Sequence, residues 1–315
     1  MIVALAGGVG GAKLALGLNL VLPRGDLLVA VNTGDDFVHL GLHVSPDVDT
    51  VMYTLAGIEN PATGWGVAEE TWSFMAMLER LGGDTWFKLG DRDLAVHVER
   101  SRRLSAGEPL SAITADFCRR LKIANPIVPM TDHPVRTVIV AEGRRLGFQD
   151  YFVRLQCQPV VSGIVYDGAD AARPSSAVLA ALTDAALEGV IICPSNPYLS
   201  IGPMLAMPAL ADALRTRMRP VVAVSPIIGG KAVKGPAAKI LNELGYDATS
   251  LAVAQYYSGL IDCLLIDHAD ADQAPAIRAL SIEPVVTDIL MRDVDDRRRL
   301  ARMCCDILMR SASWP

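Results

Sequence analysis

The chain has 315 residues, of which 51% are hydrophobic and 5% aromatic, and it carries a net charge of −6 at pH 7. These values suit a globular protein with a sizeable aliphatic core, and the acidic balance argues against non-specific binding of nucleic acid. The six cysteines (Cys118, Cys157, Cys193, Cys263, Cys304 and Cys305) form no C-x-x-C pair and lack zinc-ligand spacing, so reduced thiols in a cytoplasmic protein are expected.

The chain opens IVALAGGVGGAK. Ile2–Ala6 has the length and β-branched content of a buried strand, and Leu14–Leu18 has helical apolar spacing. The opening run lacks the basic flank and length of a signal peptide. A strand, a glycine cluster and a helix make a phosphate cradle, because glycine lets the backbone approach an anion and a helix N-terminus offers free N–H groups. The dinucleotide fingerprint is broken, since Gly8 and Gly10 are followed by Lys13 rather than a third glycine, and no Gly-Lys-Ser/Thr occurs. A plain connecting turn is the alternative.

Further strands are predicted at Leu27–Val31, Gly189–Cys193, Pro220–Val224, Cys263–Ile266 and Val285–Val286, with a hairpin from Thr137–Val140 through Glu142-Gly143 to Arg145–Phe148. Helical stretches at Ser175–Leu187, Ala206–Arg215 and Ala237–Leu244 separate several of them. This alternation predicts a three-layer, Rossmann-like α/β fold, with a mostly parallel sheet and helices on both faces. Residues 50–125 read instead as a mainly helical insertion covering the strand ends, with Thr71–Leu78 as one amphipathic segment. One domain over 1–315 is expected. No run approaches the roughly 20 continuous apolar residues of a membrane helix.

Asp35, Asp36, Asp47 and Asp49 form the richest acidic group. Two carboxylates one residue apart would both face a hard cation where the backbone is irregular, and magnesium is commonly shared between carboxylates and substrate phosphates. The alternative is a helix N-cap at Asp49 and a solvated turn at Asp35-Asp36. Lys88–Asp93 is a charge run in which Arg92 either pairs locally or holds a ligand. His97, Arg100, Arg102 and Arg103 read as one basic face or as a plain surface helix. Pro194–Pro203 and Ser225–Pro236 are strand-exit loops suited to phosphate or a base edge, the second adding Lys231 and Lys234. Trp65, between two glycines, offers an indole to a flat ring, or else packs within its loop. No Ser-His-Asp or Cys-His signature is visible, which leaves metal-assisted transfer of a phosphorus-bearing group.

The motifs GGVGGAK, VNTGDD, SPDVDTVMYTLAG, GWG, KLGDRD, PMTDHPV, FQDYFV, PSNPYLSIGP and SPIIGGKAVKGPA occur in that order, from Met1 to about Asp288. Together they resemble the CofD/FbiA family, the 2-phospho-L-lactate or phosphoenolpyruvate transferases of deazaflavin coenzyme F-420 biosynthesis. The resemblance implies a magnesium-dependent homodimer, linked in function to the guanylyltransferase that makes its donor. A phosphorylated small acid would pass from a guanosine diphosphodiester to the ribityl hydroxyl of FO, the deazaflavin precursor, with release of GMP. Phosphoenolpyruvate is the favoured acid, with phospholactate and 3-phosphoglycerate as the other types.

The resemblance also implies site residues. Asp49 and Arg92 match positions that contact FO, and Trp65 would flank the deazaflavin. Asp35, Asp36, Asp47 and Asp49 are the metal candidates. Gly8, Gly10, Gly11, Lys13, Ser195, Asn196, Ser225, Gly229, Gly230 and Lys231 fall in segments expected around the guanosine phosphates. Asp36 or Asp49 would orient or deprotonate the attacking hydroxyl. Two other readings compete. One is a non-enzymatic nucleotide-sugar regulator of the gluconeogenesis-factor type, disfavoured by KLGDRD and PDVDT. The other is a nicotinamide-dependent oxidoreductase, disfavoured by the broken fingerprint.

Overall fold

In the computed structural model, which describes residues 1–233 and 235–311, the strongest apolar runs lie side by side. Ile2–Ala6 (β1), Leu27–Val31 (β2), Ile127–Pro129 (β3), Gly189–Ile192 (β4), Val221–Val224 (β5), Cys263–Ile266 (β6) and Glu283–Val286 (β7) form a seven-stranded sheet in the order β7-β6-β5-β4-β1-β2-β3. Every pairing in it is parallel. A parallel sheet needs cover on both faces, and β1 shows how the sequence provides it. Val3 and Leu5 pack into one core, whereas Ile2, Ala4 and Ala6 pack into the other, following the two-residue alternation of a strand.

Helix α1 (Gly8–Val21) follows β1 and packs against α2 (Pro46–Ala56) and against the C-terminal helix Val294–Ser311. The second contact is close enough that a Cβ at Gly17 would lie 2.2 Å from the Arg297 carbonyl oxygen. Between β2 and β3 lie the hairpin of Phe37–His39 and Leu42–Val44, then α2, the short helix Ser73–Arg80, α3 (Asp91–Ser105) and the helix Leu110–Arg120. The hairpin and the short helix share a satellite cluster around Val44, Met75 and Leu89.

Three details differ from the sequence expectation. Strand β3 was not anticipated, because three residues ending in proline carry no periodic signal. The predicted hairpin gains a third strand, Val161–Asp167, on the other side of Arg136–Ala141 from Arg144–Gly147; its alternation is interrupted by Gly163. The glycine turn is confined to the junction, where Gly8 has a φ of 62°, and the rest of the cluster is helical. Gly8, Gly10 and Gly11 already lie within α1, and only Gly7 caps it, with ordinary extended backbone. Lys234 lies outside the described residues, as do residues 312–315.

Candidate active site

The sheet order reverses at β1. The chain moves from β1 outward through β2 to β3, then returns to place β4 on the other flank of β1. At such a switch point the loops leaving neighbouring strands diverge and leave a crevice at their carboxyl ends. The exits of β1 and β4 meet here, and a cavity of about 590 Å³ opens above them.

Three glycines set how closely these exits approach. A Cβ at Gly10 would lie 2.3 Å from the Pro194 carbonyl oxygen, and one at Gly11 would lie 2.6 Å from Ser195 Oγ. A Cβ at Gly7 would lie 2.5 Å from Asp47 Oδ2. The glycines thus admit the neighbouring strand exit as well as any anion. Gly10→Ala is expected to destabilise the fold by about 1–3 kcal/mol through overpacking against backbone, read as a lower midpoint in chemical denaturation. Unchanged stability would show that the two loops separate freely.

Ser195 and Asn196 shape this cradle with protein partners. Ser195 Oγ accepts from the Gly7 N–H at 3.0 Å and donates to the Gly7 carbonyl at 2.9 Å. Asn196 Oδ1 accepts from the N–H groups of Tyr198 and Leu199, capping the turn Pro197–Ile201. Lys13 donates to the Met291 carbonyl at 3.0 Å, which ties α1 to another lining segment.

The four aspartates take three separate settings. Residues two apart on a helix point about 200° apart, so Asp47 and Asp49, both in the first turn of α2, diverge. They do not face one common cation, as an irregular backbone there would have allowed. Asp47 turns to the glycine loop, accepting from the Gly8 N–H at 2.7 Å and from Asn32 Nδ2 at 2.9 Å. Burial pushes its carboxyl up to about 6, against the pull of those hydrogen bonds. Asp35 lines the same cavity and is pushed well above the usual carboxylate range, by burial first and by the Asp47 charge second. Its Oδ1 is buried with no hydrogen-bond partner. Asp36 turns away from the lining, accepting from Ser45 Oγ at 2.8 Å and sitting 3.0 Å from His43 Nε2.

Asp49 faces α3, where Arg100 binds both of its carboxylate oxygens. His97 Nδ1 lies 3.7 Å from Asp49, and His97 Nε2 lies 3.2 Å from Asp93. The Tyr53 hydroxyl donates to Asp93 at 2.5 Å. Burial raises the Asp49 carboxyl above its ordinary value, while Arg100 and then His97 oppose the rise. Burial raises the Asp93 carboxyl, but the adjacent His97 imidazole, the Tyr53 hydroxyl and the Arg100 guanidinium together hold it below its ordinary value. Ligand atoms of Asp49, Asp93 and His97 all lie within 4.8 Å of one another, a set that can hold a metal ion.

This arrangement corrects the expected basic face. His97 and Arg100 are buried, whereas Arg102 pairs with Glu99, and Arg103 pairs with Glu108 and Asp116. The signal was available as D-x-x-x-H-x-x-R, the spacing that puts Asp93, His97 and Arg100 on one helical face.

The family described as 2-phospho-L-lactate transferase CofD matches residues 2–307. The chain belongs to that family. It is a transferase. Among its relatives are proteins named phosphoenolpyruvate transferase. The one from Streptomyces coelicolor is 43% identical over 96% of both chains. The one from Thermobifida fusca is 42% identical over 98% of both. That of Mycobacterium tuberculosis is 38% identical over 97% of this chain and 98% of its own. The crystal structure of protein BH3568 from Bacillus halodurans shares the fold, with a TM-score of 0.64 at 14% identity, covering 96% of this chain and 98% of that one.

Placed on this CofD-family chain, the expected site residues sort clearly. Gly8, Gly10, Lys13, Asp35, Asp47, Asp49, Trp65, Ser195, Asn196 and Ser225 line the cavity. Arg92 does not; it is exposed, donates to the Ala68 carbonyl at 3.0 Å and lies 3.6 Å from Glu69. Lys88, from the same KLGDRD motif, lines the cavity instead. Gly11 touches the neighbouring loop rather than the cavity. Gly229 and Gly230 form the tight turn joining Ile227–Ile228 to Lys231–Ala232, both with positive φ, and Lys231 is exposed on that hairpin. Such a turn needs glycine for its own geometry.

Proposed function

We propose that this CofD-family transferase moves a phosphoenolpyruvate unit from a guanosine diphosphodiester to the terminal ribityl hydroxyl of FO, releasing GMP, in coenzyme F-420 biosynthesis. The observation that carries the reading is a single cavity that joins the α1 N-terminus to two buried carboxylates, Asp35 and Asp47, at the switch point. Full-length likeness to relatives named phosphoenolpyruvate transferase favours that acid over phospholactate. Membership of a transferase family sets the regulator reading aside.

In this reading the hydroxyl oxygen of FO attacks the phosphorus that bears the enolpyruvyl group. The bond from that phosphorus to the bridging oxygen breaks, and its electron pair leaves with GMP. Asp49 lines the cavity, and a carboxylate lone pair left over from its pairing with Arg100 orients the hydroxyl and takes up its proton, while Asp36, facing His43 and Ser45, supports the turn behind Asp35. The positive end of the α1 dipole lies beside the diphosphate. Trp65 is half exposed on the cavity wall and offers its ring to the deazaflavin.

Asp35 and Asp47 fit a divalent cation. Both are buried, the Asp47 charge raises the Asp35 carboxyl, and one Asp35 oxygen has no protein partner. Magnesium there would neutralise diphosphate charge and stabilise the departing phosphate. The set of Asp49, Asp93 and His97 is the less suitable holder, because the Arg100 guanidinium already occupies both Asp49 oxygens and repels a second cation. The homodimer, the cytoplasmic setting and the supply of donor by a guanylyltransferase complete the reading. Among the described residues no helix is long and apolar enough to cross a membrane.

Mass spectrometry tests the reaction. The protein, FO, GTP and magnesium are incubated with the guanylyltransferase and each candidate acid in turn. A product carrying the phosphoenolpyruvate mass is expected; a product formed only with phospholactate would overturn the acid assigned here.

A further inference from the structure

The FQDYFV motif has no part in the chemistry described above. It follows the strand Arg144–Gly147 as a helical turn that widens into a π-helix over Asp150–Arg154. Single π turns occur frequently at functional sites. This one sets two rows of side chains toward the cavity: Phe148 with Phe152, and Gln149 with Val153. The two phenyl rings stack, with centroids 5.4 Å apart and planes 12° apart. Phe148 is buried, but Phe152 is 38% exposed and keeps a face open.

Gln149 is the unusual member. It is only 6% exposed, lines the cavity and has no hydrogen-bond partner for its side-chain amide among the described residues. Its amide atoms face the open cavity rather than sealed protein, so a ligand that fills the cavity must hydrogen-bond them or leave them desolvated at a cost. Its carbonyl and NH2 groups are adjacent, so it can accept and donate at once along a flat edge. Across the rim, Arg154 lies over Trp86, its guanidinium carbon 6.0 Å from the ring centroid, which holds the turn against the segment that carries Lys88.

We propose that Gln149 is a specificity-determining residue: its amide hydrogen-bonds the lactam edge, an adjacent C=O and N–H, of a flat heterocycle stacked on Phe152. The inference rests on the transferase reading, in which both reactants carry such an edge, guanine in the donor and the pyrimidinedione ring in the deazaflavin. A methionine at this position keeps the side-chain length and removes both polar groups.

The test titrates GMP and FO separately against wild-type protein and the Gln149→Met and Phe152→Leu variants. Calorimetry follows GMP, fluorescence follows FO, and thermal melts check the fold. Both variants are expected to weaken the same ligand, Gln149→Met by about 10- to 100-fold, with the other ligand held within twofold. The ligand affected identifies the ring. Equal affinities in wild type and Gln149→Met for both ligands would overturn the proposal, as would an equal loss for both with a lowered melting temperature. Wild-type protein that binds neither ligand would overturn the transferase reading itself, and this inference with it.

Discussion

Replacing Arg100 by methionine is expected to destabilise the protein by about 3–5 kcal/mol, because it leaves the Asp49 carboxylate buried without its countercharge. Arg100 is 1% exposed and Asp49 4% exposed, so water cannot replace the lost partner without opening the α2–α3 contact. The pair itself is a weaker source of net stability than that figure suggests, since removing both charges from water costs much of what their attraction returns. The double variant Arg100→Met/Asp49→Leu should therefore recover much of the stability while remaining inactive. Chemical denaturation of the two single variants and the double variant closes the cycle. A fully stable Arg100→Met protein would mean that Asp49 is neutral in the native state.

In chelator, the melting temperature is expected to fall as pH rises from 5 to 8, and added magnesium should reverse the fall. The sign follows from Asp47, whose carboxyl is raised by burial to about 6. A carboxyl raised on folding contributes stability that is complete below its unfolded value near 4. That contribution is lost as pH climbs through about 6. The raised Asp35 carboxyl acts in the same direction. Of the shift in Asp47, roughly 1.4 kcal/mol of linked stability falls between pH 5 and 8, the rest being lost below pH 5. A cation bound between ionised carboxylates offsets that loss, so magnesium should raise the melting temperature more at pH 8 than at pH 5. Equal magnesium effects at the two pH values would move the cation away from Asp35 and Asp47.

Much of the fold was legible because parallel strands buried on both faces are continuous apolar runs. Ile2–Ala6, Leu27–Val31 and Cys263–Ile266 have the limits expected from the amino-acid pattern. Ile127–Pro129 was not legible, since a three-residue edge strand is defined by its neighbour β2 and not by its own pattern. At the site, periodic reasoning found residue types but not directions. Asp47 and Asp49 were grouped as one set, although helix geometry alone separates them. Arg92 stood out in its motif by charge, while Lys88 reaches the cavity. The Gly229-Gly230 pair looked like a phosphate loop because a hairpin turn and an anion cradle call for the same residue.

The position of β1 has a consequence for biosynthesis. Its register partners are Leu27 on one side and Gly189 on the other, so half of its hydrogen bonding depends on a segment made much later. Closing so long a chain loop is entropically slow, and parallel pairing of distant segments retards folding. During translation the first strand therefore waits with one edge open while the intervening helices emerge. A ribosome-stalled chain that ends before Gly189 should be a good client for chaperones that shield unpaired strand edges.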